Sequence, residues 1–446
     1  MTKTVITYGT YDLLHEGHIN ILRRAKEYGD RLIVGVTSED YDRSRGKMTV
    51  VQSVEERVKA IKDLGFVDSV IVEHHKFQKS VDMQKYGVDY FVIGDDWVGK
   101  FDYLNEFTQV VYLPRTVGIS STILRNQMSR DTRIGVVGTG RIAKRFVEEA
   151  KFVNTVNVRS VFSRDMTNVE QFVKTFSVPF GFDDFEIFLD SGVDAVYVAT
   201  PHESHYAYVK KALLAGKHVL CEKPITLDAG ELAELFEIAK QNDLVLLEAI
   251  KTAFFLGFTK ILSDIQKGKI GEVKEVRASF SKLVSDKSTR EWSPPYGGAI
   301  NELASYPLLL AQKILGAPVE TTTYETKSDC VTDYATIASR HAGDKFSFAT
   351  VAIGAKTEGS AVITGTEGYI YIPAPWWLTK KFYIRSEDTS EESIRLFNLD
   401  GDGLRYEIAE FAAMVYRGER ETPKLTYADM QSINHVISSL QNNKTS

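Results

Sequence analysis

The segment TRIGVVGTGRIAKRFVEEAKF, residues 132–152, reads as a buried strand, a glycine turn and an amphipathic helix. Within it Gly138 permits the tight turn and Gly140 lets backbone approach a pyrophosphate. The small Ala143 lets helix and strand pack closely. In this strand–turn–helix setting the string is a dinucleotide-binding pattern. Working back along the chain, TVITYGTYDLLHEGHINILRRAKEYG, residues 4–29, opens in the same way. A fold rarely starts twice, so a boundary is expected just before Thr132, with the short polar stretch RNQMSRD, residues 125–131, as linker.

After each opening, short β-branched runs alternate with helical patterns. They are RLIVGVT, DSVIVE, DYFVIG and QVVYLP in the first part, and VRSVFS, DAVYVAT, HVLCEK and LVLLEA in the second. Such alternation predicts parallel sheets covered on both faces. From about Val273 the rhythm changes. VKEVRASFSKL, TIASRHA, KFSFATVAIGAK, GSAVITGT and GYIYIPA follow one another with few helices between them, which predicts an open, mostly antiparallel sheet. Residues 404–440 return to helical spacing and are expected to pack back on the half of the chain that begins at Thr132. The fold class is therefore α/β, with two Rossmann-like units and an α+β unit, over residues 1–128, 132–250 and 251–446. Three units also suit 446 residues at about 150 per domain.

Composition excludes several classes. Hydrophobic residues at 43% and charged residues at 26% describe a folded chain rather than a disordered one. A formal net charge of −6 gives no global field for nucleic acid, so phosphates must be held by local geometry. Two cysteines, Cys221 and Cys330, are too few for a disulfide framework or a thiolate metal site and point to a reducing compartment. No apolar run approaches the ~18 residues that span a bilayer, and MTKTVITYG lacks the apolar core of a signal peptide. The expectation is a cytoplasmic enzyme acting on small molecules, with no nucleic-acid partner and no membrane insertion.

In the first unit His15-Glu16-Gly17-His18 follows the strand and opens a helix. Two histidines three residues apart at a helix start can face one anion, helped by the exposed backbone N–H groups and the helix dipole. Zinc is a poorer reading, because helical ligand pairs prefer a spacing of four and no third ligand is evident. A surface or capping pair is the plainer reading of two such histidines by themselves. Three further strings favour a site: Gly9-Thr10-Tyr11-Asp12, Gly94-Asp95-Asp96-Trp97, and Arg115 through Thr122. Together these residues closely resemble the glycerol-3-phosphate cytidylyltransferases of the HxGH nucleotidyltransferase superfamily, over residues 1 to about 128.

The resemblance implies that His15 and His18 contact the triphosphate and the transition state. Gly9 and Thr10 would hold phosphate oxygens, and Asp12 would help place Mg²⁺ on CTP, with no other side-chain metal ligand expected. Lys47 would neutralise the triphosphate or the acceptor phosphate, and Asp95 and Trp97 would sit beside the cytidine and acceptor pockets. Arg115 with Ser120, Ser121 and Thr122 would clamp the β and γ phosphates. Val117 stands where the family has Glu, which leaves the acceptor open. Arg57 reads more simply as a solvated helix side chain than as a ligand.

In the second unit VRSVFS ends in Ser163-Arg164, where NAD-selective folds place an acidic residue. An arginine there can pair with a 2′-phosphate, which favours NADP over NAD, although stacking on adenine explains it as well. Further on stand Thr200-Pro201-His202-Glu203-Ser204-His205 and the triplet Glu222-Lys223-Pro224. These strings resemble the Gfo/Idh/MocA oxidoreductases, a likeness running from about 133 to 440. It implies a coenzyme pocket of Gly138, Gly140, Arg141, Ile142, Ser163, Arg164, Thr200, Pro201, His205 and Glu222. Lys223 would point at the reacting carbonyl or hydroxyl, lowering the energy of a developing alkoxide. After Gly297-Gly298, Glu302 and Tyr306 are four residues apart and share a helix face. Tyr306 resembles the proton donor of dihydrodiol-dehydrogenase-like members, and Lys223 beside it is expected to lower its pKa. Ala253 replaces an arginine common in relatives, which makes Lys251, Arg290, Trp292 and Glu302 the expected substrate contacts.

The two resemblances together imply a bifunctional enzyme of CDP-polyol synthesis. It would use CTP, a sugar phosphate and a polyol phosphate as small-molecule partners, with NADP or NAD as cofactor. The products would feed teichoic-acid-like or capsular polymers, and the chain is expected to form a homo-oligomer. Two alternatives remain open at this point: a cytidylyltransferase with a non-catalytic nucleotide-binding module, and a sugar or dihydrodiol dehydrogenase with a nucleotide-binding N-terminal unit.

Overall fold

Runs of valine and isoleucine build two parallel sheets in two separately packed units, residues 1–131 and 132–446. The computed structural model describes residues 2–12, 14, 16–44, 50, 52–75, 77–113, 131–388 and 392–442. Within these, no helix is long and apolar enough to cross a membrane.

The first unit has five parallel strands, β1 (Thr4–Gly9), β2 (Arg31–Thr37), β3 (Ser69–Glu73), β4 (Tyr90–Gly94) and β5 (Gln109–Leu113), in the order β3-β2-β1-β4-β5. Side chains alternate across the sheet. Val5, Leu32, Val34 and Val36 pack with Leu22 and Ile61 on one face, and Ile6, Ile33, Phe91 and Ile93 with Met83 and Leu104 on the other. Strand order reverses between β1 and β4, so the turns after Gly9 and Gly94 flank a crevice at the carboxyl edge.

The second unit opens with six parallel strands, β6 (Thr132–Val137), β7 (Val156–Phe162), β8 (Phe180–Phe182), β9 (Ala195–Val198), β10 (His218–Glu222) and β11 (Leu246–Ala249). Their order is β11-β10-β9-β6-β7-β8, with the reversal between β6 and β9. The remaining strands form one eight-stranded sheet: β12 (Val273–Ser281), β13 (Pro318–Ser328), β14 (Val331–His341), β15 (Lys345–Ala352), β16 (Ala361–Gly365), β17 (Gly368–Ile372), β18 (Lys381–Ser386) and β19 (Glu392–Leu396). Its order is β13-β14-β15-β12-β16-β17-β18-β19; only the β12–β15 pair is parallel.

The helix Leu404–Arg417 returns to the six-stranded sheet and packs on the helix Arg141–Ala150. A two-pronged ion pair pins it there: Arg405 Nε donates to Glu149 Oε2 at 3.0 Å and Nη2 to Oε1 at 2.9 Å. Both side chains are about nine-tenths buried. Removing one partner strands the other charge away from water, so Arg405→Met should destabilise the second unit by about 3 kcal/mol in calorimetric unfolding. The double variant Arg405→Met, Glu149→Leu should recover most of that loss; equal melting of all three proteins would contradict the pairing.

Candidate functional sites

At the first crevice the turn after β1 is held from below. Arg57 Nη1 donates to the carbonyl oxygens of Thr10 (2.8 Å) and Thr37 (2.9 Å), and its Nε to that of Gln52 (3.1 Å). Asp42 neutralises it at 3.5 Å, and both side chains are fully buried. Asp42 also accepts from Thr10 Oγ1 at 3.0 Å and Thr37 Oγ1 at 2.6 Å. Asp12, 1% exposed, accepts from the Gln52 N–H at 3.1 Å. The helix carrying Arg57 starts with a Ser53/Glu56 capping box, which fixes the direction of its first turn. The solvated Arg57 expected from sequence is therefore corrected. It is an internal strut, because three backbone carbonyls and one carboxylate replace its water.

Above this strut, His18 lies in the first turn of the helix Glu16–Lys26, its ring edge-on to buried Tyr11 at 5.4 Å. Tyr11 itself adopts φ +53°, the left-handed region in which the chain turns from β1 towards that helix. Across the crevice, Asp95 and Trp97 form a short 3₁₀ turn after β4, Asp95 exposed and Trp97 half-buried with Lys100 over its ring at 5.1 Å. Lys79 was not singled out from sequence. It is 3% exposed, ion-paired with Glu73 and placed 4.6 Å from the Tyr8 ring centroid, at the same carboxyl edge.

At the second crevice Gly138 has φ +111°, and a Cβ there would lie 2.7 Å from the Ala199 carbonyl oxygen. Only glycine lets the turn approach β9 so closely. A Cβ at Gly140 would project into open space, and the helix Arg141–Ala150 that follows has no side-chain cap. These features suit a pyrophosphate, and Ile142 and Arg141 stand at the helix start beside it. Arg164 is exposed after β7, whereas the neighbouring Asp165 is spent capping the helix Met166–Phe176 through Thr167 N–H.

Lys223 extends from the end of β10, and its Nζ donates to the Glu302 carbonyl oxygen at 2.8 Å. Arg290 Nη2 lies 3.1 Å from Glu302 Oε1 and donates to Oε2 at 3.3 Å. On the other side of Glu302, His202 Nδ1 faces Oε1 at 3.9 Å, and this nitrogen has no hydrogen-bond partner among the described residues. Burial, then the nearby Lys223, His205 and Arg290, holds the His202 pKa well below its ordinary value, so the ring is neutral. Lys223, Glu302, Arg290 and His202 thus form one polar cluster.

Residues 6–127 match the family described as cytidylyltransferase-like. Residues 132–249 match the oxidoreductase family with an NAD-binding Rossmann fold, and 258–371 the GFO/IDH/MocA C-terminal domain. The glycerol-3-phosphate cytidylyltransferase of Bacillus spizizenii is 47% identical over 127 residues, 28% of this chain and 98% of that protein. The trans-1,2-dihydrobenzene-1,2-diol dehydrogenase of Oryctolagus cuniculus is 27% identical over 317 residues, 68% of this chain and 95% of that protein. Among solved structures, the 3-ketoreductase KijD10 of Actinomadura kijaniata is similar in fold with a TM-score of 0.63 and 23% identity, covering 69% of this chain and 96% of that one. The chain belongs to the cytidylyltransferase-like family, fused to Gfo/Idh/MocA oxidoreductase domains. Both halves are enzyme domains, and the second is built for a nicotinamide coenzyme.

In the cytidylyltransferase domain, Gly9, Thr10, Asp12, His18, Asp95 and Trp97 border the crevice, while His15, Lys47, Arg115, Ser120, Ser121 and Thr122 lie outside the described residues. No group of three or more potential metal ligands occurs among the described residues. In the oxidoreductase domains the structure corrects several expectations. His205 is fully buried with its ring nitrogens 2.8 and 2.7 Å from the Pro224 and Thr200 carbonyl oxygens. Burial pushes its pKa down to about 4, so the neutral ring donates to one of these two carbonyls and is enclosed between the loops after β9 and β10. Trp292 is buried, its indole N–H donating to the Val284 carbonyl at 2.9 Å, and serves as a packing anchor. Lys251 does not join Arg290; its Nζ donates to the Asp402 carbonyl at 2.8 Å.

The Tyr306 pKa is raised rather than lowered, by burial and then by the charges of Glu222 and Glu407. His202 is the residue that sequence reasoning passed over, although it stands inside the string Thr200–His205. One prediction follows from the strut under Thr10. Lys cannot reproduce a guanidinium that serves three carbonyls, so Arg57→Lys should slow CTP-dependent pyrophosphate release roughly tenfold or more. NADPH binding, measured by fluorescence titration, should not change; an unaltered pyrophosphate rate would contradict the assignment.

Proposed function

We propose that the chain reduces a keto- or aldo-sugar phosphate to a polyol phosphate and then joins that product to CMP. The polyol is glycerol or a four- or five-carbon alditol, and NADPH is the preferred reductant. The observation that carries this reading is the fusion itself: a domain 47% identical to a cytidylyltransferase of a polyol phosphate, on one chain with a nicotinamide oxidoreductase. A polyol phosphate is the product that carbonyl reduction makes and the acceptor that such a transferase uses.

In the reductive half, the bound nicotinamide supplies a hydride to the carbonyl carbon. Lys223 stabilises the charge appearing on oxygen, and Tyr306 gives that oxygen its proton. Glu302, held by Arg290, and neutral His202 orient the hydroxyls of the substrate. Gly138, Gly140 and the start of the helix Arg141–Ala150 hold the pyrophosphate of the coenzyme, and exposed Arg164 pairs with its 2′-phosphate. In the transfer half, the polyol phosphate attacks the α-phosphorus of Mg²⁺-bound CTP in line, and pyrophosphate leaves. His18 and the N–H groups of its helix turn stabilise the charge spreading over the α-phosphate, while Arg57 keeps the Thr10 turn in place. Positioning and electrostatics suffice here, with no covalent intermediate. The CDP-polyol serves as an activated unit for a teichoic-acid-like or capsular polymer, made in the cytoplasm by a homo-oligomer with domains bounded near residues 128 and 250.

The test is a mixture of CTP, Mg²⁺, NADPH and one ketose phosphate from a panel of three to five carbons. CDP-polyol and pyrophosphate should appear together with NADPH oxidation. Lys223→Met should abolish NADPH oxidation and leave pyrophosphate release from added polyol phosphate intact. Pyrophosphate release from the ketose phosphate without NADPH would reverse the order of the two steps. No release with any polyol phosphate would remove the reading.

A further inference from the structure

The backbone that leaves Lys223 is held at three successive residues. The His205 ring, on the helix His202–Leu214, lies with Nδ1 2.8 Å from the Pro224 carbonyl oxygen. Glu248 Oε1, on β11, accepts from the Ile225 N–H at 3.2 Å. Asn434, on the helix Tyr427–Asn442, donates through Nδ2 to the Thr226 carbonyl oxygen at 2.6 Å. All three side chains are buried, and they stand 19, 23 and 208 residues from the groups they meet.

Of the three, Glu248 is placed to act on both sides of Lys223. β11 pairs with β10 so that Glu248 lies beside Cys221, two residues before Lys223. Its carboxyl group takes the N–H of Ile225, two residues after Lys223. Pro224 has no N–H, so this is the first backbone donor that follows the lysine. The neighbours of Glu248 on β11, Leu247 and Ala249, are buried and apolar. Burying a carboxyl group there costs free energy that an apolar side chain would not, so packing alone does not account for it. A lysine ammonium sits on a flexible four-carbon stem, and its location depends on both ends. The Glu302 carbonyl oxygen holds Nζ at 2.8 Å, and the backbone holds the other end only where its own path is fixed.

We propose that Glu248 is a positioning residue for the reductive step, fixing where the Lys223 stem leaves the sheet. The inference rests on the reading of Lys223 as the group that stabilises the charge appearing on the substrate oxygen. Glu248 acts through the Ile225 N–H and takes no part in hydride or proton transfer. Its effect is geometric, and a misplacement of ~1 Å at a reacting group can cost as much as ~100-fold in rate.

Two conservative variants of the full chain separate position from charge. Glu248→Gln keeps an acceptor oxygen in place and drops the charge, whereas Glu248→Asp keeps the charge and withdraws it by one methylene. With NADPH and the ketose phosphate that the unaltered chain reduces fastest, Glu248→Asp should lower kcat by roughly tenfold. The KM for NADPH should stay within about twofold, and Glu248→Gln should keep kcat within about threefold. The reverse order of the two variants overturns positioning in favour of a role for the charge. A KM for NADPH that rises in Glu248→Asp as much as kcat falls marks a general loosening and overturns it too. Amide exchange at Ile225, read by deuterium uptake with fragmentation mass spectrometry, needs no substrate. It should be slow in the unaltered chain and in Glu248→Gln, and faster by roughly tenfold in Glu248→Asp. Free exchange at Ile225 in the unaltered chain, or an unchanged kcat in Glu248→Asp, overturns the inference and leaves the reductase reading intact. Failure of the unaltered chain to oxidise NADPH with any sugar phosphate overturns both.

Discussion

A parallel sheet delivers every strand-to-helix turn to one edge, and where its strand order reverses two turns part and leave a crevice. Everything this chain is arranged to do depends on that constraint, met twice. In the first sheet the parting lies between β1 and β4, and in the second between β6 and β9. In each case the chain leaves the central strand and enters a helix within a few residues, so backbone N–H groups point into the gap. A phosphate placed there meets donors that are already oriented. A net charge of −6 supplies no global positive field, so such a group depends on this local geometry.

The same edge exacts a cost in buried charge, and the two units meet it differently. Under the first crevice, the guanidinium of Arg57 is buried completely and satisfied by carbonyls and Asp42, which makes the turn rigid. Under the second, charge is left only partly compensated. Glu222, Glu407 and Lys251 share a cluster in which the two carboxyl pKa values rise and that of the lysine falls, burial being the leading cause for each. A fixed strut suits a reaction that needs only position.

Much of this was legible in the sequence because strands and turns are local. The runs RLIVGVT, DYFVIG, HVLCEK and KFSFATVAIGAK each coincide with a strand, and the glycine turns stand at the two partings. The strands that escaped were β8, only three residues long, and β13, β18 and β19, in which polar and exposed side chains blur the alternation: β13 is PVETTTYETKS. The missed side chains share one cause. Arg57 is buried by carbonyls 47, 20 and 5 residues away, and Glu407 is placed beside Glu222 and Lys251 by tertiary folding. Periodicity tells which face is covered but not which polar partner waits beneath it. Trp292 and His205 erred in the opposite direction: both stand in suggestive strings, yet backbone carbonyls engage their ring nitrogens.

The central claim is that one chain carries two working nucleotide pockets of different specificity. Isothermal titration of the protein, first with CTP and Mg²⁺ and then with NADPH, tests it most directly. The account predicts one site per chain for each ligand, with NADPH binding retained when the first pocket is already filled. Uptake of only one of the two, or mutual displacement, would contradict it.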